Sequence, residues 1–96
     1  MNEIDNKIHC SVAFFQFKLT PKDCNKFFAH LYQQEVYKSF LEKTEIHNAL
    51  YAKVLLIDTP EAFIEIQRQR IENINAVVKY VREWLKANIE YDYEEN

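Results

Sequence analysis

Two short stretches decide the predicted fold: TPKD at residues 20–23 and TPEA at residues 59–62. In each, the threonine hydroxyl can accept a hydrogen bond from the first helical turn, and the proline suits the first helical position because an N–H there has no partner. The residue before a proline is also pushed out of helical geometry, so each threonine ends the segment that precedes it. The sequence therefore predicts that one helix begins at Pro21 and another at Pro60.

The helix after Pro60 is predicted over residues 60–89. Apolar residues recur every seven positions there, at Ile64, Ile71, Val78 and Leu85. This spacing is typical of an amphipathic helix whose other side faces solvent. A helix of this length is about 45 Å long, and we expect its apolar stripe to form much of the core.

The helix after Pro21 is predicted over residues 21–42. Phe28, Tyr32, Val36 and Phe40 follow one another at a spacing of four, which places them along one side of a helix.

The segments that precede the two prolines fit either a helix or a strand. Residues 8–19 and 46–57 keep helical spacing, but residues 8–19 also alternate, and residues 50–57 also suit a buried strand. The chain contains no glycine, which disfavours tight hairpin turns. We therefore predict an all-α fold, a small helical bundle of about four helices with a long C-terminal helix, assembled as a dimer. The alternative is an α+β chain of order β-α-β-α whose sheet is completed by dimerisation.

Length and composition limit the classes of function. The 96 residues leave room for a single domain, 1–96, with a flexible N-terminus at 1–6 and an acidic tail at 90–96. The lack of glycine excludes phosphate-binding loops of the P-loop and dinucleotide types. The longest uncharged stretch, residues 8–17, is too short to span a bilayer. With no recognisable signal peptide, we expect a cytoplasmic protein that does not contact a membrane.

The residues that could bind a metal or act as a nucleophile lack the necessary spacing. Zinc sites place ligands two to four residues or one helical turn apart, and the candidates, His9, Cys10, Cys24, His30 and His47, do not provide a set with that spacing. Cys24 follows a helix start, but its spacing places it on an apolar face, where cysteine packs as a small hydrophobe. We predict two thiols rather than a disulfide, no metal, no cofactor, no catalytic residue and no enzymatic activity.

The C-terminal segment has the composition of a contact surface. Two tyrosines alternate with acids there, and tyrosine is enriched in protein interfaces. We predict that this segment binds a basic surface of another protein through Glu90, Tyr91, Asp92, Tyr93, Glu94 and Glu95.

The predicted function is protein–protein interaction. Aromatic residues make up 15% of the chain, more than a small monomer can bury, so we expect a homodimer. The favoured roles are an inhibitor or immunity-type protein, or an adaptor. The alternative is a dimeric DNA-binding transcriptional regulator that uses Lys79, Arg82 and Lys86, but a net charge of −3 disfavours binding to nucleic acid.

Overall fold

An antiparallel β-hairpin precedes three helices, and a short strand follows them, within residues 6–57, 59–89 and 91–93, which the computed structural model describes. The elements are β1 (Ile8–Val12), β2 (Phe15–Leu19), α1 (Pro21–Leu31), α2 (Glu35–Ile57), α3 (Pro60–Asn88) and β3 (Asp92–Tyr93). The central strand β2 pairs antiparallel with both β1 and β3. The chain is mostly helical, but the prediction of an all-α bundle of about four helices is wrong.

The β-hairpin is the main departure from the predicted fold. Residues 8–19 form two strands that are joined by a two-residue turn at Ala13 and Phe14. Ala13 adopts a φ of +55°, the left-handed conformation that glycine usually supplies in such turns. The absence of glycine therefore misled the prediction, because an alanine makes this turn. Alternate side chains of β2 are buried, as a strand requires: Phe15, Phe17 and Leu19.

The sheet is extended within the chain, which also corrects the β-α-β-α alternative. Phe17 lies opposite Tyr93 and Lys18 lies opposite Asp92 in the β2–β3 ladder. Residues 50–57, the second strand of that alternative, are helical. β3 therefore supplies the pairing that the alternative assigned to a second subunit.

The helix predicted over residues 21–42 is divided into α1 and the first part of α2. The division rests on local hydrogen bonds, since the Gln33 amide donates to the His30 carbonyl at 3.2 Å and the Gln34 amide donates to the Leu31 carbonyl at 3.0 Å. These bonds span three residues rather than four and tighten the last turn of α1. Because neither glycine nor proline marks this point, the division was not visible in the sequence.

The helix starts agree with prediction. The Thr20 hydroxyl accepts a hydrogen bond from the Asp23 amide at 3.2 Å, and Pro21 occupies the first turn of α1. Thr59 precedes α3 without a side-chain cap. The helix predicted over residues 60–89 is confirmed as α3, which ends one residue earlier.

The hydrophobic core lies between the sheet, α1 and the C-terminal half of α3. In α3 the buried side chains are four residues apart from Val77 onward, so they lie along one side of the helix. Rings of Phe17 and Phe27 meet edge to face at 5.5 Å and join the sheet to α1. The buried cluster contains Cys10, Val12, Phe15, Phe17, Leu19, Phe27, Leu31, Val77, Val81, Leu85 and Ile89.

Candidate protein-binding surface

The second half of α2 and the first half of α3 project beyond this core as a pair of helices. The buried cluster includes no α3 residue before Val77 and none from the second half of α2. The chain measures 56 × 28 × 18 Å with a radius of gyration of 16.4 Å, whereas a compact domain of this length has a radius of about 12.5 Å. We call the projecting pair, residues 48–57 and 60–71, the arm.

The two helices of the arm hold each other through a small interface of their own. Val54 and Ile66 are buried, and the rings of Tyr51 and Phe63 lie 5.7 Å apart. The Arg70 guanidinium lies 5.1 Å from the centroid of the Tyr51 ring, a cation–π contact. The arm is therefore packed internally, although the sheet does not cover it.

Two polar side chains are buried at the base of the arm. Asn73 donates through Nδ2 to the Phe40 carbonyl at 3.2 Å and to the Thr44 hydroxyl at 3.3 Å. His47 is also buried, and its Nδ1 atom has no hydrogen-bond partner. A buried polar atom without a partner costs free energy, so the base of the arm is not optimised for stability.

The arm and its base expose several large apolar side chains. Leu55 is 60% exposed, Ile64 is 66% exposed and Phe14, in the hairpin turn, is 79% exposed. Leu41 and Leu55 are fourteen residues apart on α2, and Ile64 and Ile71 are seven apart on α3, so each pair lies near one side of its helix. We call this set the arm face; its members are Phe14, Leu41, Leu55, Phe63, Ile64 and Ile71.

Members of the arm face line two shallow depressions. Leu55 and Ile64 line the first, at the tip of the arm, together with Phe63. Phe14 lines the second, of about 150 Å³, between Asn48 of α2 and Ile74 of α3. The hairpin turn thus reaches the base of the arm, and beyond it the helices lie uncovered.

Another part of the arm surface is polar. Its depression is lined by Lys43, Gln69 and Glu72. Arg68 donates through Nε to Glu65 at 3.0 Å and also pairs with Glu72. Hydrogen bonds from Arg68 lower the pKa of Glu65 to about 2, with a further contribution from Gln69. The arm therefore carries polar as well as apolar side chains, and Leu56, which is 88% exposed on α2, lies outside the arm face.

The sequence predicted that one row of α3 residues, from Ile64 to Leu85, faces the core. The structure places the first half of that row at the edge of the arm face. Ile64 and Ile71 are exposed, Val78 is half-buried and Leu85 is buried. Seven-residue spacing identified the row correctly, but the row faces the core only where the sheet covers α3. Spacing alone could not distinguish a row that the chain covers from a row that it leaves open.

The described part of the predicted C-terminal contact segment takes part in the fold. The Tyr91 ring lies 6.1 Å from the ring of Phe15, edge to face, and Asp92 forms a 3.3 Å ion pair with Lys7. Tyr93 belongs to β3. Glu90, Glu94 and Glu95 lie outside the described residues. The role of this segment in binding a partner stays a prediction.

Two cations of the DNA-binding alternative, Lys79 and Arg82, lie beside an aromatic ring or an acidic side chain. The Arg82 guanidinium lies 5.8 Å from the centroid of the Phe15 ring. Lys79 and Arg82 line a surface depression that they share with Glu83.

Among the candidate metal ligands, Cys10 and Cys24 lie close together, whereas His30 and His47 lie elsewhere. Across the described ranges, no three His, Cys, Asp or Glu side chains are grouped so that they could hold a metal ion. His30 packs against α3, and His47 lies at the base of the arm.

Among the described residues, no helix combines the length and apolar character needed to cross a membrane. The chain matches no known family model, no curated protein sequence and no solved structure at a significant level.

Proposed function

We propose that this protein is a protein-binding module that forms a homodimer through the arm face. The observation that carries the proposal is the number of exposed leucine, isoleucine and phenylalanine side chains on the arm face. Contiguous apolar patches of this kind are rare on monomers and mark sites of association.

The side-chain spacing favours a helical partner. Leu41 and Leu55 form one row, and Ile64 and Ile71 form a parallel row on the neighbouring helix. Rows of this kind interlock with equivalent rows on another pair of helices, as in ridges-into-grooves packing. A second copy of the chain carries the same rows, so a two-fold axis through the face brings each row against one that matches it.

The charge distribution also favours a second copy. The cores of interfaces are depleted of charge, and the charged residue between the rows, Arg70, already lies over the Tyr51 ring. Arg68 flanks the row of Ile64 and Ile71, and its exposed ion pairs with Glu65 and Glu72 can stay hydrated at the rim of a dimer.

The size of the face sets the expected affinity. The row from Leu41 to Leu55 is about 21 Å long, and two adjacent helices are about 20 Å wide. This patch, with Phe14 added, lies at the lower end of the range for specific complexes. We therefore expect a dimer with a dissociation constant of about micromolar magnitude.

We further propose that the dimer binds another protein, as an inhibitor, immunity-type protein or adaptor does, through segment 90–95. Four of the fifteen acids in the chain fall in this segment, which suits a basic partner. A dimer carries two such segments, so binding to a partner with two sites gains from effective concentration.

Light scattering after gel filtration, over a range of protein concentrations, tests the homodimer. We expect the mass to rise from 11.6 kDa toward twice that value. The double variant Leu55→Glu/Ile64→Glu should remain monomeric at every concentration, because association would bury four unpaired carboxylates.

Ile46→Glu is the matched control. Ile46 is 57% exposed on α2, but it lies nine residues before Leu55 and therefore on the opposite side of the helix. This variant should dimerise like the wild type. A wild-type chain that stays monomeric at hundreds of micromolar, or a Leu55→Glu/Ile64→Glu variant that still dimerises, would refute the proposal.

A further inference from the structure

The two cysteines meet where the β-hairpin packs on α1. The Sγ atoms of Cys10 in β1 and Cys24 in α1 are 3.5 Å apart. They are not joined by a disulfide. Cys10 is 6% exposed and Cys24 is half-buried, so reagents in solution reach the pair from the Cys24 side.

Hydrogen bonds around the pair orient the two thiol groups. The Cys10 thiol donates to the Ile8 carbonyl at 3.7 Å. Either thiol can donate in the contact between the two sulfurs, and both arrangements keep the sulfurs next to each other. The sulfur of Cys10 thus already faces the sulfur to which it would bond.

The backbones on both sides of the pair are held in place. Cys10 lies opposite Phe17 in the β1–β2 ladder. The Cys24 amide donates to the Thr20 carbonyl at 2.8 Å in the first turn of α1. A disulfide bond is about 2.05 Å long, so the sulfurs need to approach by about 1.5 Å, a distance that small side-chain rotations can supply.

We propose that Cys10 and Cys24 form an oxidisable dithiol site that closes reversibly to an intramolecular disulfide, with a low-molecular-weight disulfide such as oxidised glutathione as the oxidant. This site is independent of the proposed dimer, because it lies between β1 and α1 rather than on the arm. It also refines the prediction of two thiols, since the same two side chains alternate between a reduced and an oxidised form.

The reaction proceeds by two thiol–disulfide exchanges. The Cys24 thiolate attacks one sulfur of oxidised glutathione, which forms a mixed disulfide and releases one molecule of reduced glutathione. The Cys10 sulfur, after losing its proton to solvent, attacks Sγ of Cys24 and expels the second molecule. The protein loses two electrons and two protons, and the oxidant gains them as two thiols.

Closure should stabilise the fold. The bond links residues 14 apart in sequence and encloses the β1–β2 hairpin from Cys10 onward. A cross-link lowers the conformational entropy of the unfolded chain, and the effect grows with the length of the closed loop. We expect the melting temperature of the oxidised protein to exceed that of the reduced protein by about 10 °C.

Intact-mass spectrometry in glutathione redox buffers, followed by alkylation of remaining thiols, tests the proposal on the full-length folded chain. The wild type should lose the mass of two hydrogens, take up no alkyl group and carry no glutathione. Addition of a reductant should restore two alkylatable thiols.

Single substitutions separate the roles of the two thiols. Cys10→Ser should accumulate the mixed disulfide at Cys24, because the second thiol is missing. Cys24→Ser should react far more slowly, because the remaining thiol is buried. Wild-type protein that stops at a glutathione adduct, forms only disulfides between chains, or melts at a lower temperature once oxidised would overturn the proposal.

Discussion

Nε2 of His30 lies 2.7 Å from the phenolic oxygen of Tyr80, which fastens α1 to α3. Gln34 Nε2 lies 3.4 Å from the other ring nitrogen of His30, and an amide nitrogen can only donate. With the proton on Nε2, His30 donates to the Tyr80 oxygen while Nδ1 accepts from Gln34. The imidazole also stacks on Trp84, with ring centroids 4.5 Å apart.

Replacement of Tyr80 by phenylalanine should lower the free energy of unfolding by about 1 kcal/mol. The substitution removes the acceptor for His30 in a partly buried site and changes little else. Urea denaturation, followed by the fluorescence of Trp84, measures the change. Tyr32→Phe is the control, because Tyr32 is exposed, and it should leave the midpoint unchanged. Equal effects of the two substitutions would contradict the assigned role of the hydrogen bond.

Replacement of the two buried polar residues at the base of the arm should change the free energy of unfolding in opposite directions. His47→Leu should raise the free energy of unfolding by about 1 kcal/mol, because it removes a buried nitrogen that has no partner. Asn73→Leu should lower it by about 1–2 kcal/mol, because it removes the hydrogen bonds to Phe40 and Thr44. Paired urea titrations distinguish the two, and a loss of stability in both variants would show that His47 has a partner in solution.

Ala13→Gly should stabilise the hairpin. Alanine with a φ of +55° is strained by about 1–2 kcal/mol, and glycine relieves this strain while adding freedom to the unfolded chain. We expect a net gain of about 0.5–1 kcal/mol in thermal or urea unfolding. Ala76→Gly, in the middle of α3, should instead cost about 1 kcal/mol. A loss of stability at both positions would argue against the left-handed turn.

Glu65 should produce a dependence of stability on pH in the acid range. Its pKa is lowered from 4.5 to about 2 in the folded chain by Arg68. A lowered folded-state pKa stabilises the protein above the unfolded value, and the contribution is lost as the pH falls from about 4.5 toward 2.

Unfolding measured between pH 6 and pH 2 at low salt should therefore show a slope that Glu65→Gln reduces. The pair is exposed, so salt should weaken the effect. An unchanged slope in Glu65→Gln would mean that the ion pair with Arg68 does not persist in solution.

The parts of the fold that local chemistry determines were predictable from the sequence. The threonine–proline pairs marked the starts of α1 and α3 because proline geometry acts on adjacent residues alone. The hairpin was not predictable with the same rules, because Ala13 takes a backbone conformation that its residue type disfavours. The division before α2 rests on hydrogen bonds around His30 and Gln34, which any helical sequence could form.

The candidate surface was only partly predictable. The seven-residue row through Ile64 and Ile71 was visible, but its exposure depends on where the sheet ends, a tertiary property. The contact between Cys10 and Cys24 likewise depends on how the hairpin packs on α1, and spacing along the chain does not encode it.

The pairing of Phe17 with Tyr93 has a consequence for synthesis on the ribosome. β2 emerges well before β3 and the α3 residues that cover the sheet. At ordinary elongation rates β2 waits roughly 4–15 s for these partners. During that interval its alternating aromatic residues could pair with other nascent chains. Lys18, between Phe17 and Leu19, places a charge within this strand, the usual protection of a strand whose proper neighbours arrive late.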